Sequence, residues 1–92
     1  MASCLYWKNN QWNVCKNLGW LLRHASETKR IIVTTANDRA IIETFDHDDN
    51  RQFQTEFASW QVLMGWLDRR RCFRHCSILW NGNLLQLREE KS

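Results

Sequence analysis

The sequence predicts an α+β domain in which two helices cover one face of an antiparallel sheet. Three observations predict it. Phe53, Phe57, Trp60, Met64 and Leu67 form an apolar stripe, widened by Leu63, whose steps of 4, 3, 4 and 3 have helical period. Lys29–Thr35 and Arg39–Phe45 are rich in Ile, Val and Thr and flank Asn37-Asp38, a two-residue hairpin turn. Arg74–Trp80 and Asn83–Arg88 flank Asn81-Gly82, a stronger turn signal of the same kind.

Composition places these elements in one small soluble domain, residues 1–92. The hydrophobic fraction is 43%, slightly below the globular norm of about 45–50%, and six tryptophans raise the area that so short a chain can bury. There is no proline, no Gly/Ser linker and no repeat to mark a boundary. The net charge of +3, from 13 basic and 10 acidic residues, is too mild for a nucleic-acid-coating surface. No apolar run approaches a membrane span, and the N-terminus lacks the pattern of a secretory signal, so the expected compartment is a reducing cytoplasm.

In chain order, Cys4–Lys8 is an apolar and aromatic run that suits a strand, and either residue of Asn9-Asn10 can cap a helix. Val14, Cys15, Leu18, Leu21, Leu22 and Ala25 recur at helical spacing, which predicts a helix over Gln11–Ala25 despite Gly19. A rival reading makes Leu5–Lys8 and Trp12–Cys15 a hairpin through the two asparagines, with a shorter helix after it. In the next hairpin, a loop at Asn37-Asp38 sets Thr35 opposite Ala40, Val33 opposite Ile42 and Ile31 opposite Thr44. The long helix then spans Asp49–Arg71, with Asp48 or Asp49 capping its start and Arg69, Arg70 and Arg71 at its end. A type I′ turn at Asn81-Gly82 puts Cys76, Ile78, Trp80, Leu85 and Leu87 on one face of the last hairpin. The resulting β-α-β-β-α-β-β order matches a ferredoxin-like sheet with an extra edge hairpin.

If both helices lie on one side, the other side of the sheet carries Ile32, Ile41, Phe45, Leu79 and Leu84. Arg30 and Arg88 form its polar rim, and Tyr6 joins it if the first strand is central. A contiguous apolar patch rimmed by polar groups marks an interaction site. The sequence therefore predicts a non-catalytic protein-binding module, of the kind a small inhibitor or accessory protein would be. Its partner is another protein, most simply a second copy of the chain. The alternative partner is single-stranded nucleic acid, held by Arg69, Arg70, Arg71, Arg74, His75 and Arg88. Against it, these arginines complement a helix dipole, and Arg39–Phe45 lacks the glycine and paired aromatics of an RNA-binding sheet. Trp12, Trp20 and Trp66 are a further hot-spot candidate if they cluster.

Signals for catalysis are weak. His47, within Asp46-His47-Asp48-Asp49, reads as a solvated residue among capping acids and not as a metal ligand. His24, His47 and His75 are the natural acid–base candidates, and Cys72-Phe73-Arg74-His75-Cys76 brings a thiol, a base and a cation, but no third orienting group. Gly19, Gly65 and Gly82 are isolated, so no phosphate cradle and no cofactor motif is present. In a reducing compartment Cys4, Cys15, Cys72 and Cys76 read as thiols. Zinc at Cys72 and Cys76, completed by Cys4, Cys15 or His75, is the sharper alternative, but Cys4 and Cys15 are not spaced as a usual ligand pair.

Overall fold

The computed structural model describes residues 4–85. Its strands are β1 (Cys4–Lys8), β2 (Gln11–Cys15), β3 (Thr28–Ala36), β4 (Arg39–Asp46), β5 (Arg51–Phe57), β6 (Ser77–Trp80) and β7 (Asn83–Leu85). Helix α1 (Gly19–Arg23) lies between β2 and β3, and α2 (Trp60–Asp68) between β5 and β6. The described strands form one mixed sheet in the order β2-β1-β5-β4-β3-β6-β7, in which β6 runs parallel to β3 and every other pair is antiparallel.

This order overturns the ferredoxin-like arrangement, because each predicted helix has a strand in its first half. Asn9 and Asn10 have φ of 55° and 59°, the left-handed pair of a type I′ turn, so β1 folds back on β2 in the rival hairpin. Helix α1 is what remains. The departure at β5 is subtler. Phe53 and Phe57 are four apart, a step that suits both a helix turn and a strand of period two. In the structure Phe53, Thr55 and Phe57 alternate with Gln54 and Glu56, and Phe53 and Thr55 pair with Thr44 and Ile42.

The acids predicted to cap a long helix instead close the β4–β5 hairpin. One Asp46 carboxylate oxygen accepts the backbone N–H groups of Asp48 (3.0 Å) and Asn50 (2.9 Å), and Asp49 takes φ 65°. Helix α2 starts later, where the Ser59 hydroxyl accepts the Val62 N–H at 3.4 Å. Trp66, which is not among the residues of the predicted apolar stripe, is buried with Leu63 and Leu67.

Both tight turns at Asn37-Asp38 and Asn81-Gly82 form as predicted. β3 meets β4 with Thr35 opposite Ala40, Val33 opposite Ile42 and Ile31 opposite Thr44. Asn81 and Gly82 have φ of 50° and 87°, the second a conformation that suits glycine. β6 starts at Ser77 and not at Arg74, because Arg71–Phe73 forms a 3-10 turn that buries Phe73. Residues 86–88 of the predicted last strand lie outside the described residues.

One buried cluster holds the chain together. Leu21 and Ala25, with Leu63, Trp66 and Leu67 of α2, meet Ile31, Val33, Ala40, Ile42, Phe53 and Ile78 of the sheet. Each large aliphatic or aromatic member contributes about 1.5–3 kcal/mol by leaving water. Gln52 is buried among them because a bulge between Thr44 and Phe45 turns it to the core side. Its Oε1 accepts hydrogen bonds from the hydroxyls of Thr28 (2.7 Å) and Thr44 (2.8 Å), and its Nε2 donates to the His24 carbonyl (3.3 Å). No helix among the described residues is long and apolar enough to cross a membrane.

Candidate protein interface

Strand alternation sends Ile31, Val33, Ala40, Ile42 and Ile78 into the core and their neighbours to the opposite face. That face gathers Ile32, Ile41, Phe45, Leu79 and Leu84, the residues expected on it, together with Arg30. Ile41 is 40% exposed and Leu84 66%, while Ile32, Phe45 and Leu79 are half-buried by their neighbours on the sheet. The Arg30 guanidinium lies 4.8 Å from the Phe45 ring centroid and pairs with Asp49 at 2.7 Å. Arg88 lies outside the described residues. Tyr6 faces the core side instead, stacked on Trp20 at 5.0 Å.

Four more residues belong to this face: Trp12 and Val14, which helical spacing over Gln11–Ala25 hides in the sequence, and Leu5 and Trp7, on the opposite side of β1 from the expected Tyr6. Leu5 and Trp7 of β1 stand opposite Val14 and Trp12 of β2, and all four share the open face. Trp7 and Trp12 meet edge to face with centroids 5.2 Å apart, and Val14 is 74% exposed. The Asn9-Asn10 turn is the signal that could have found them. A single cross-strand row crosses the whole sheet: Val14, Leu5, Gln54, Glu43, Ile32, Leu79 and Leu84. Its ends are apolar and its centre is polar. Glu56, one step along from Gln54, is paired with Arg39, whereas Glu43 has no ion-pair partner among the described residues.

The alternative nucleic-acid residues fall on the connection from α2 to β6. Arg69, Arg71 and Arg74 are exposed there, and Arg70 covers the buried Trp66 ring at 5.1 Å. His75 Nε2 is hydrogen-bonded to the Thr28 carbonyl at 2.9 Å. The nearest rings, Trp66 and Phe73, are buried, so this connection lacks a stacking platform. The three candidate hot-spot tryptophans do not cluster: Trp12 is on the open face, Trp66 is in the core, and Trp20 stacks on Tyr6, Phe53 and His24.

Chemistry-bearing side chains occur elsewhere. An open cleft of about 530 Å³ is lined by Tyr6, Trp20, His24, Glu27, His47 and Asp48, among others. His24 Nδ1 is bound to Glu27 at 2.8 Å, and His47 Nε2 is 3.2 Å from the Ser26 carbonyl, so both imidazoles are already engaged. The cysteines lie in two separate places, Cys4 opposite Cys15 across β1 and β2, and Cys72 and Cys76 on the connection from α2 to β6. Burial pushes the Cys15 thiol up to about 11, with the neighbouring Cys4 raising it further against an opposing pull from Arg23. Burial, then Cys72, pushes Cys76 up to about 11.

Comparison with protein-family models, with curated proteins and with solved structures found no match to this chain.

Proposed function

We propose that the chain works by binding protein through its open sheet face, and that a second copy is the partner that face fits best. The observation that carries this is the polarity of the row across the sheet. Read outward from the boundary between β5 and β4, it runs Gln54, Leu5, Val14 in one direction and Glu43, Ile32, Leu79 in the other. It is palindromic in polarity. A two-fold axis along that boundary sets Leu5 opposite the copy's Ile32, and Val14 opposite the copy's Leu79. The Gln54 amide then faces the copy's Glu43 carboxylate, as a donor for the acid that lacks an ion-pair partner. An isologous contact needs such self-complementarity.

The face spans roughly 34 Å by 16 Å at ordinary strand spacing and rise. That offers on the order of 500 Å² per copy, below the ~800 Å² of a standard interface. The association is therefore weak and concentration-dependent. Sedimentation equilibrium from low to high micromolar protein tests it. The expected mass rises toward twice the monomer, Val14→Asp abolishes the rise, and Leu84→Asp, which overhangs the paired region, weakens it less. Both positions are exposed in the single chain, so neither charge threatens the fold. A monomer mass throughout, or a dimer indifferent to Val14→Asp, ends the proposal.

A further inference from the structure

The β1–β2 hairpin carries a pair of cysteines whose placement suggests chemistry independent of the open face. Cys4 opens β1, Cys15 closes β2, and the two are direct cross-strand partners. In a hairpin closed by a two-residue turn, Lys8 and Gln11 form the first hydrogen-bonded pair, and pairs alternate from there. Tyr6 with Asn13 and Cys4 with Cys15 are then also hydrogen-bonded pairs, with Cα atoms about 5.5 Å apart, inside the range that a disulfide spans. Both thiols project to the core side, half-buried, with Cys4 Sγ 3.4 Å from Thr55 Oγ1.

Cys15 also lies on the wall of an open cleft of about 340 Å³, which Lys16, Arg23, Asn17, Val14, Tyr6 and Trp20 complete. Neither Lys16 nor Arg23 has an ion-pair partner among the described residues. A thiol beside two uncommitted cations in a cleft of this size favours a small anionic reagent.

We infer that Cys15 and Cys4 form a dithiol site for a low-molecular-weight anionic disulfide of the glutathione class. The Cys15 thiolate attacks one sulfur of that disulfide, breaking its S–S bond and forming a mixed disulfide on Cys15, and one thiolate leaves. Cys4, as thiolate, then attacks Cys15 Sγ, the second thiolate leaves, and a Cys4–Cys15 bridge remains. Two protein thiols are oxidised, one small disulfide is reduced to two thiols, and the protons lost by the cysteines pass to the departing thiolates. The bridge staples an edge hairpin that, among the described residues, joins the rest of the sheet through β5 alone, at Leu5–Gln54 and Tyr6–Phe53. Scarcity of the Cys15 thiolate at neutral pH makes the reaction faster as pH rises.

The test incubates the whole chain with oxidised glutathione, quenches with acid and alkylating agent, and maps tryptic peptides. Cleavage after Lys8 and Lys16 separates the two cysteines, so the bridge appears as peptide 1–8 joined to peptide 9–16, with Cys72 and Cys76 alkylated. Cys4→Ser is expected to stop at the first step and leave glutathione on peptide 9–16. The cationic disulfide cystamine is expected to react roughly fivefold or more slowly at low salt, and Arg23→Gln to narrow that gap. Recovery of both peptides separately alkylated, glutathione on Cys72 or Cys76 instead, an unmodified Cys15 in Cys4→Ser, or cystamine reacting as fast would each overturn the inference. None of these readouts depends on whether the open face binds a partner.

Discussion

Gln54 and Glu43 stand opposite each other across β5 and β4, the polar centre of a face whose two ends are apolar. In a two-fold pairing each Glu43 carboxylate loses water and gains one amide donor from the copy. Burying a carboxylate with a single neutral donor leaves most of its hydration uncompensated. Glu43→Gln removes that cost and keeps a group able to bond the opposite amide. Self-association of this variant is expected to tighten roughly tenfold, read as a lower dissociation constant in sedimentation equilibrium. Unchanged or weaker association would place Glu43 outside the contact.

Gln52 and Gln54 lie two apart in sequence and differ completely in what they hold. Gln52→Ala strips partners from two buried hydroxyls and the His24 carbonyl, and is expected to cost about 2–3 kcal/mol in chemical denaturation. Gln54→Ala, on the open face, is expected to stay within about 0.5 kcal/mol. Equal effects would mean that the bulge does not turn Gln52 inward.

Ser59 marks the true start of α2. Ser59→Ala is expected to lower stability by about 1 kcal/mol through loss of the cap. Asp48→Ala, at an exposed residue of the β4–β5 turn, is expected to stay within about 0.5 kcal/mol. Denaturant melts of the two variants check the helix boundary directly, since a helix beginning at Asp49 would reverse their order.

Trp7 and Trp12 face each other across the β1–β2 hairpin in a T-shaped pair. Trp12→Ala is expected to destabilise by about 1 kcal/mol beyond the area lost and to speed amide exchange in β1 and β2 first. Exchange that accelerates uniformly over the sheet would show that the hairpin does not open as a local unit.

Cys15 and Cys76 give stability a basic limb. Their thiols sit at about 11 in the folded chain against an ordinary value of 9.0. Between those values the native state holds protons that the unfolded chain has released, so stability falls as pH rises. The contribution is complete below pH 9 and is lost progressively toward pH 11. In melts across that window, Cys15→Ala with Cys76→Ala is expected to flatten the decline relative to the parent under reducing conditions. An identical slope would assign it to other groups.

How much of this was legible depends on how local each signal is. The turns at Asn37-Asp38 and Asn81-Gly82 state their own backbone requirement, and one of them sets the β3–β4 register residue by residue. Asn9-Asn10 carries the same message, but helical spacing in Val14, Leu18, Leu21 and Ala25 competes with it. Which apolar residues reach the open face is readable for Ile32, Ile41, Phe45, Leu79 and Leu84, because alternation within a hairpin needs only the turn. Trp12 and Val14 are hidden along with the hairpin that carries them.

By itself the sequence determined the reversals at Asn37-Asp38 and Asn81-Gly82 and which side chains share a face within those two hairpins, since both are set by a few adjacent residues. Only the tertiary structure decided that 51–57 is a strand. Phe53 and Phe57 satisfy either period, and the choice rests on pairing with β4 on one side and β1 on the other. It also decided the strand order, because the parallel contact of β6 with β3 joins residues more than 40 positions apart and no local pattern encodes it.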